Sequence, residues 1–125
     1  MDKRTTVLIA DSSEEFSGAL GLLLQKKEGF QVIGTAGDGE QAVRLVTERK
    51  PDILVLDLML AKKDGLAVLK AINNLEKKPV TVATSGFVSD YVAQAAAGLG
   101  VRYLMLKPCD MTALAERLEE LRQGE

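Results

Sequence analysis

The sequence contains no histidine and only one cysteine, Cys109, and both scarcities narrow its chemistry. Without histidine the chain cannot build a His-based zinc site, use histidine as a catalytic base or carry phosphohistidine itself. A single cysteine excludes an intrachain disulfide and favours a reducing compartment, so we expect a cytoplasmic protein. Basic residues do not exceed acidic ones, and the net charge of −2 argues against binding of nucleic acid by this domain or of an anionic membrane.

Long apolar runs are missing as well. No stretch approaches the roughly 20 apolar residues of a membrane span, and the first ten residues lack the apolar core of a signal peptide. The chain does have 46% hydrophobic and 27% charged residues, a composition typical of a folded protein. Its 125 residues suit one domain, which we expect to span residues 1–125.

Short apolar, β-prone runs alternate with segments of helical spacing. The predicted strands are TTVLIA (5–10), FQVIGTA (30–36), DILVLD (52–57), VTVATS (80–85) and VRYLML (101–106). The predicted helices cover 12–29, 39–50, 64–78, 89–100 and 110–123. At the helix ends, Ser12 and Glu15 fit a capping box, Gly29 a C-cap and Asp110 an N-cap. Continuously apolar strands in five β–α units predict an α/β fold, a three-layer doubly wound domain with a parallel sheet.

Asp57 is the one charged residue in the apolar run from Ile53 to Leu60. Burying an unpaired carboxylate is costly, so Asp57 is expected at the mouth of the sheet beside a counter-charge. Asp11, Ser85 and Lys107 also stand at predicted strand ends. Each alone could be a cap, a turn residue or a solvated side chain. Because ligands bind beyond the carboxyl ends of parallel strands, the four together predict a site.

Four stretches resemble the receiver domain of two-component response regulators, in order and at family-like spacing. They are VLIAD (7–11), PDILVLDLML…DGL (51–66), TSGF (84–87) and YLMLKP (103–108). The chain looks most similar to the receivers of bacterial sporulation transcription regulators. The resemblance covers nearly the whole chain and implies a flavodoxin-like (βα)5 fold with strand order 2-1-3-4-5. It also implies a signalling module, not an enzyme with a separate substrate.

The resemblance assigns roles to particular residues. Asp57 would accept a phosphoryl group from the phosphohistidine of a histidine kinase or phosphotransfer protein, with Mg²⁺ as cofactor. The implied site residues are Ser85 and Lys107 for phosphoryl binding; Asp11, Asp57, the Met59 carbonyl and Ser12 for Mg²⁺; and Ser85 and Leu104 for the switch. A cis Lys107–Pro108 bond and a homodimer through helix 4, strand 5 and helix 5 are also implied.

Two departures from the family pattern leave the function open. Ser12 stands where a second acid is usual, so either Mg²⁺ binds weakly or Ser12 only caps the helix, unless Glu14 or Glu15 reaches in. Leu104 replaces the usual switch aromatic, and strand alternation points Tyr103 to the opposite face. Asp57, Ser85 and Lys107 favour a phosphorylation-switched receiver. Ser12 and Leu104 favour an atypical receiver that binds proteins independently of phosphorylation.

Overall fold

The computed structural model describes residues 4–124, which alternate between five parallel strands and five helices. The strands are β1 (Thr5–Ala10), β2 (Phe30–Ala36), β3 (Ile53–Asp57), β4 (Val80–Ser85) and β5 (Val101–Leu106). The helices are α1 (Glu14–Gln25), α2 (Gly39–Arg49), α3 (Gly65–Ile72), α4 (Asp90–Gly98) and α5 (Met111–Gln123). The sheet order β2-β1-β3-β4-β5 confirms the predicted doubly wound fold. None of the helices within residues 4–124 is long and apolar enough to cross a membrane.

Two apolar clusters cover the two faces of the sheet. On the α1/α5 face, strand residues such as Ile9 and Val55 pack against leucines of α1 and α5. On the α2–α4 face, Leu8 and Leu54 pack against side chains of α2, α3 and α4. Successive strand residues point to opposite faces, so both faces of a strand covered in this way must be apolar. All five residues of β3 are buried, which explains its unbroken apolar sequence.

The N-terminus of α1 differs from the prediction by one residue. Ser13, not Ser12, is the N-cap, and its Oγ accepts a hydrogen bond from the Phe16 N–H at 3.1 Å. The predicted capping box of Ser12 with Glu15 is therefore wrong. The cause lies before the helix, because the Asp11 carboxylate accepts the Ser13 N–H at 2.8 Å and so fixes the entry of the chain. Ser12 is left exposed to solvent.

The C-terminus of α1 also lies earlier than predicted. The helix ends at Gln25 with Lys26 as its C-cap, so Gly29 is not a helix cap. Gly29 instead adopts φ 102° in the turn that leads into β2, a left-handed conformation that glycine tolerates. The turn is tied to the sheet, because Thr5 N–H donates to the Gly29 carbonyl at 2.7 Å.

Helix α3 is shorter than the segment predicted up to residue 78. It ends at Ile72, and the next residue, Asn73, donates from its side chain to the Leu99 carbonyl at 3.2 Å. Asparagine is a poor helix former whose side chain competes for backbone groups, which explains the early end. The predicted N-cap of α5 is confirmed, since Asp110 accepts the Thr112 N–H at 2.8 Å.

Asp52 joins β1 to the segment before β3 at the amino ends of the strands. Its Oδ2 accepts hydrogen bonds from the Thr6 N–H at 2.9 Å and the Thr6 hydroxyl at 3.0 Å. Its Oδ1 accepts one from Lys77 Nζ at 3.1 Å. Burial opposes the charge of this carboxylate, but the Thr6 and Lys77 hydrogen bonds outweigh it. The pKa of Asp52 therefore lies below its ordinary value of 3.8.

Candidate functional site

Asp11, Asp57 and Lys107 come together at the carboxyl ends of β1, β3 and β5. Lys107 Nζ lies 2.5 Å from Asp11 Oδ2 and 3.4 Å from Asp57 Oδ2. The strand ends in the sequence predict Lys107 beside Asp57, and the structure places it there. The shorter contact with Asp11 was not anticipated. All three side chains lie on the α1/α5 face, because each follows by two positions a strand residue that packs there.

Both carboxylates are nearly buried, with Asp11 4% exposed and Asp57 7% exposed. In each, the second oxygen accepts a backbone N–H two residues further along the chain. Asp57 Oδ1 accepts from Met59 at 2.9 Å, and Asp11 Oδ1 accepts from Ser13 at 2.8 Å. These hydrogen bonds fix the orientation of the carboxylates and leave one oxygen of each facing Lys107. Two nearly buried negative charges thus share a single cation.

Lys107 responds to both carboxylates. Burial disfavours its charged form, but the hydrogen bond to Asp11 and the charges of Asp57 and Asp11 outweigh this effect. The pKa of Lys107 is therefore raised above its ordinary value of 10.5, and the side chain is a permanent cation near neutral pH.

Phe16 covers the ammonium of Lys107 from the first turn of α1. The centre of its ring lies 4.4 Å from Lys107 Nζ, within the range of a cation–π contact. Phe16 was not among the site residues predicted from the sequence. The available signal was an aromatic residue in the first turn of the helix that follows Asp11, which lies at the edge of the sheet where the polar side chains meet.

The loop after Asp57 is braced by the N-terminus of α2. The Gly39 N–H donates to the Ala61 carbonyl at 3.0 Å. The backbones approach so closely that a Cβ on Gly39 would lie 1.7 Å from the Lys63 carbonyl oxygen. This close packing holds the segment that contains Met59, whose N–H orients the Asp57 carboxylate.

Ser85 lies beside Lys107, since its carbonyl accepts the Lys107 N–H at 2.8 Å, but its hydroxyl bonds to Phe87 and not to the charged side chains. Its hydroxyl donates to the Phe87 carbonyl at 2.6 Å and accepts the Phe87 N–H at 3.3 Å. Ser85 is 1% exposed and follows Ala83 on the α2–α4 face, opposite to Asp57. The neighbouring Thr84 is also buried, and its hydroxyl finds no hydrogen-bond partner within the described part of the chain.

Leu104 and Tyr103 lie on opposite faces of β5, as strand alternation predicts. Leu104 packs against the apolar cluster of the α2–α4 face and is paired with Ala83 of β4. Tyr103 packs on the α1/α5 face, and its hydroxyl donates to Glu120 Oε1 at 3.1 Å. Tyr103 is therefore not in the position of the switch aromatic.

The segment that follows β5 contains the predicted cis bond between Lys107 and Pro108. Cys109 comes next and is half-buried against the α1/α5 cluster. Burial raises the pKa of its thiol, which disfavours the reactive thiolate and supports a packing role.

The site offers oxygen atoms, which hard cations prefer as ligands, but it offers few of them. The Asp11 and Asp57 carboxylates and the Met59 carbonyl are oxygen donors of the type that Mg²⁺ prefers. Ser12 is exposed and lines, with Glu14, the same shallow hollow as Asp11. Over residues 4–124, no three acidic, histidine or cysteine side chains are grouped closely enough to hold a metal ion. Mg²⁺ would therefore meet two carboxylates that Lys107 already neutralises in part.

A known protein family and several solved structures match this chain. The family described as "Response regulator receiver domain" matches residues 7–119. A signal receiver domain, NarL, from Mycobacterium tuberculosis is 22% identical with a TM-score of 0.89, over 98% of this chain and 99% of that one. The receiver domain of the response regulator AraT from Geobacillus stearothermophilus is 25% identical with a TM-score of 0.84, over 98% and 95%. A chain of a CheX–CheY–BeF3–Mg²⁺ complex from Borrelia burgdorferi is 28% identical with a TM-score of 0.84, over 93% and 87%. This chain therefore belongs to the response regulator receiver domain family.

Proposed function

We propose that this receiver domain accepts a phosphoryl group on Asp57 from the phosphohistidine of a histidine kinase or phosphotransfer protein. The modification would then change which proteins the domain binds. The observation that carries the proposal is the contact of one lysine, Lys107, with two nearly buried carboxylates, Asp11 and Asp57. A structural ion pair needs only one of these acids, whereas phosphoryl transfer needs a nucleophile and a cation beside it.

The chemistry follows from the positions of these groups. A carboxylate oxygen of Asp57 attacks phosphorus, the P–N bond of the donor breaks, and its electron pair goes to the imidazole nitrogen, which takes a proton. The transition state asks for positioning and for charge stabilisation around the phosphoryl oxygens. Lys107 would supply that charge by turning from the carboxylates to a phosphoryl oxygen, where it acts as a compact point charge. The hydrogen bond from Met59 would keep Asp57 oriented.

Mg²⁺ belongs to the same proposal. Asp11, Asp57 and the Met59 carbonyl would hold it, with Ser12 as a further, weaker candidate. When bound, the ion supplies positive charge that offsets the phosphoryl oxygens. Because Lys107 already neutralises part of the charge of Asp11 and Asp57, and Ser12 adds no charge, we expect weak binding.

The output of the switch would involve the opposite face of the sheet. Ser85 would exchange its hydrogen bonds with Phe87 for one to a phosphoryl oxygen, and Leu104 would repack into the space released. The surface formed by α4, β5 and α5 would respond, and it carries the exposed side chains Tyr91 (75%) and Leu106 (58%). We propose this surface as the place of a homodimer contact.

Replacing Asp57 tests the proposal directly. We predict that acetyl phosphate with Mg²⁺ adds one phosphoryl mass to the wild-type domain and none to Asp57→Asn, because an amide is not a competent nucleophile. Intact mass spectrometry measures both. Asp64→Asn is a matched control, since Asp64 accepts the Ala67 N–H as the N-cap of α3 and asparagine caps helices equally well. Equal labelling of wild type and Asp57→Asn would reject Asp57 as the acceptor.

A second candidate function is protein binding without phosphorylation. It is favoured by the exposure of Ser12, by the lack of a group of three metal-ligating side chains within residues 4–124 and by Leu104 in the place of an aromatic. The same experiment separates the two functions. A folded wild-type domain that acquires no phosphoryl mass from acetyl phosphate, at any Mg²⁺ concentration, would support the second function over the first.

A further inference from the structure

Four residues near the start of α1 and the end of β5 contact one another in a closed circuit: Asp11, Ser13, Phe16 and Lys107. Asp11 Oδ1 accepts the Ser13 N–H, and Ser13 Oγ accepts the Phe16 N–H. The Phe16 ring lies against Lys107 Nζ, and Lys107 donates to the other oxygen of Asp11. Every member is thus held by two others, and the circuit begins and ends at the same carboxylate.

The circuit gives the Phe16 ring a defined place. Its backbone is fixed by the helix cap, and its side chain is half-buried against the α1/α5 cluster. A lysine side chain has several rotatable bonds and loses much of its freedom when one position is required. The ring lies against the same ammonium that the two carboxylates contact, and so restricts its position further. A cation over an aromatic face is attracted by the ring quadrupole, which an aliphatic side chain of similar size does not provide.

We infer that Phe16 is a positioning residue for Lys107: its ring holds the ammonium between Asp11 and Asp57, ready to reach a phosphoryl group. The expected effect of Phe16 on phosphoryl transfer rests on the proposed function. The placement of Lys107 against the ring is independent of that function. The two parts therefore have separate measurements.

The placement is measured by NMR on protein with ¹³C at the lysine ε-methylene. This carbon is bonded to Nζ, so the ring current of Phe16 shifts its protons upfield in wild type. The Lys107 signal is assigned by its loss in Lys107→Arg. We expect Phe16→Leu to abolish the upfield shift and Phe16→Tyr to keep it, because tyrosine retains a ring. An identical Lys107 shift in wild type and Phe16→Leu would overturn the inference.

The effect on transfer is measured as the initial rate of phosphorylation by acetyl phosphate with Mg²⁺. Loss of a cation–π contact predicts a rate roughly 2- to 30-fold lower for Phe16→Leu, with Phe16→Tyr close to wild type. Phe30→Leu is the matched control. Phe30 is buried at the other end of the domain and also faces a cation, with Arg122 5.8 Å from its ring centre. It reports what a general loss of packing does to the rate.

The outcomes are distinct. A Lys107 shift that changes while the Phe16→Leu rate stays at the wild-type value would overturn the role of the ring in transfer. Equal slowing of Phe16→Leu and Phe30→Leu would assign the effect to stability and overturn it as well. If wild type is not labelled at all, the proposed function fails together with the effect on transfer. The Lys107 shift still decides whether Phe16 places the ammonium.

Discussion

Ser12 is an exposed residue next to one of the two acids of the site. Asp11, Asp57 and Lys107 carry two negative charges and one positive charge, a sum of −1. We predict that Ser12→Asp binds Mg²⁺ at least about tenfold more tightly than wild type, because a third carboxylate is added beside Asp11. A factor of ten corresponds to about 1.4 kcal/mol, a modest gain for a carboxylate that meets a divalent ion. Isothermal titration with MgCl₂ measures the difference.

The control for this prediction is Ser13→Asp. It adds the same charge one residue further along, and aspartate can replace the Ser13 side chain as the N-cap of α1. If position matters, only Ser12→Asp tightens binding. Equal affinities of wild type and Ser12→Asp would mean that another group, such as Glu14 in the same hollow, already supplies the charge.

Among the elements, β1 and β3 are joined at their amino ends by the Asp52 carboxylate. We predict that Asp52→Asn lowers the free energy of unfolding at pH 7 by about 1.5–3 kcal/mol, the usual range for a hydrogen bond to a charged group. The amide would place an NH₂ group toward either Thr6 or Lys77, both of which are donors. Urea unfolding of the two proteins measures the difference.

The pH dependence of this loss follows from the pKa of Asp52, which is lower in the folded than in the unfolded chain. The stability that Asp52 contributes is complete above its unfolded pKa and disappears as the pH falls through its folded pKa. The gap between wild type and Asp52→Asn should therefore shrink below about pH 3.8. Asp64→Asn, at an exposed helix cap, serves as the control. A gap that stays constant down to the acid transition would show that the charge of Asp52 is not responsible.

In strand β5, Leu104 should determine how strongly the domain responds to phosphorylation. Leu104 packs on the α2–α4 face without a ring that could change places with Ser85. The two states of the domain should then differ little in free energy, and a phosphoryl mimic should shift them weakly. We predict little dimerisation of wild type on addition of beryllofluoride and Mg²⁺, and clearly more for Leu104→Phe. Light scattering measures the association.

Met105→Phe is the matched control for this experiment. It adds a ring at the next residue of β5, on the opposite face of the sheet. Strong mimic-induced dimerisation of wild type that Leu104→Phe leaves unchanged would show that Leu104 does not limit the switch.

For the molecule as a whole, the sequence predicts the fold better than it predicts the site. The strand order follows from the resemblance to receiver domains. Most strand bounds follow from apolar runs such as β3, whose residues are all buried. The α1 cap was misplaced because Ser12 and Ser13 are equally good caps, and the choice depends on the Asp11 carboxylate. Asp110 raised no such ambiguity and was predicted correctly.

The contacts within the site were harder to predict than the positions of its residues. The strand ends placed Asp11, Asp57 and Lys107 correctly at one edge. The bonds of Ser85 to Phe87 depend on the geometry of a loop that no periodicity encodes. The contact of Phe16 with Lys107 joins a helix near the start of the chain to a segment near its end. Only the assembled fold brings those two side chains together.

The two faces of the sheet separate the charged groups from the residues proposed to switch. Asp11, Asp57 and Lys107 lie on the α1/α5 face, whereas Ser85 and Leu104 lie on the α2–α4 face. In the proposed switch, a change at Asp57 reaches Leu104 around the end of β4. Leu104 packs against the α2–α4 cluster and Ser85 is buried, so the residues proposed to switch also help to hold the domain together. Substitutions that retune the proposed response at these two positions should therefore alter the stability of the fold as well, which restricts the route that evolution can take.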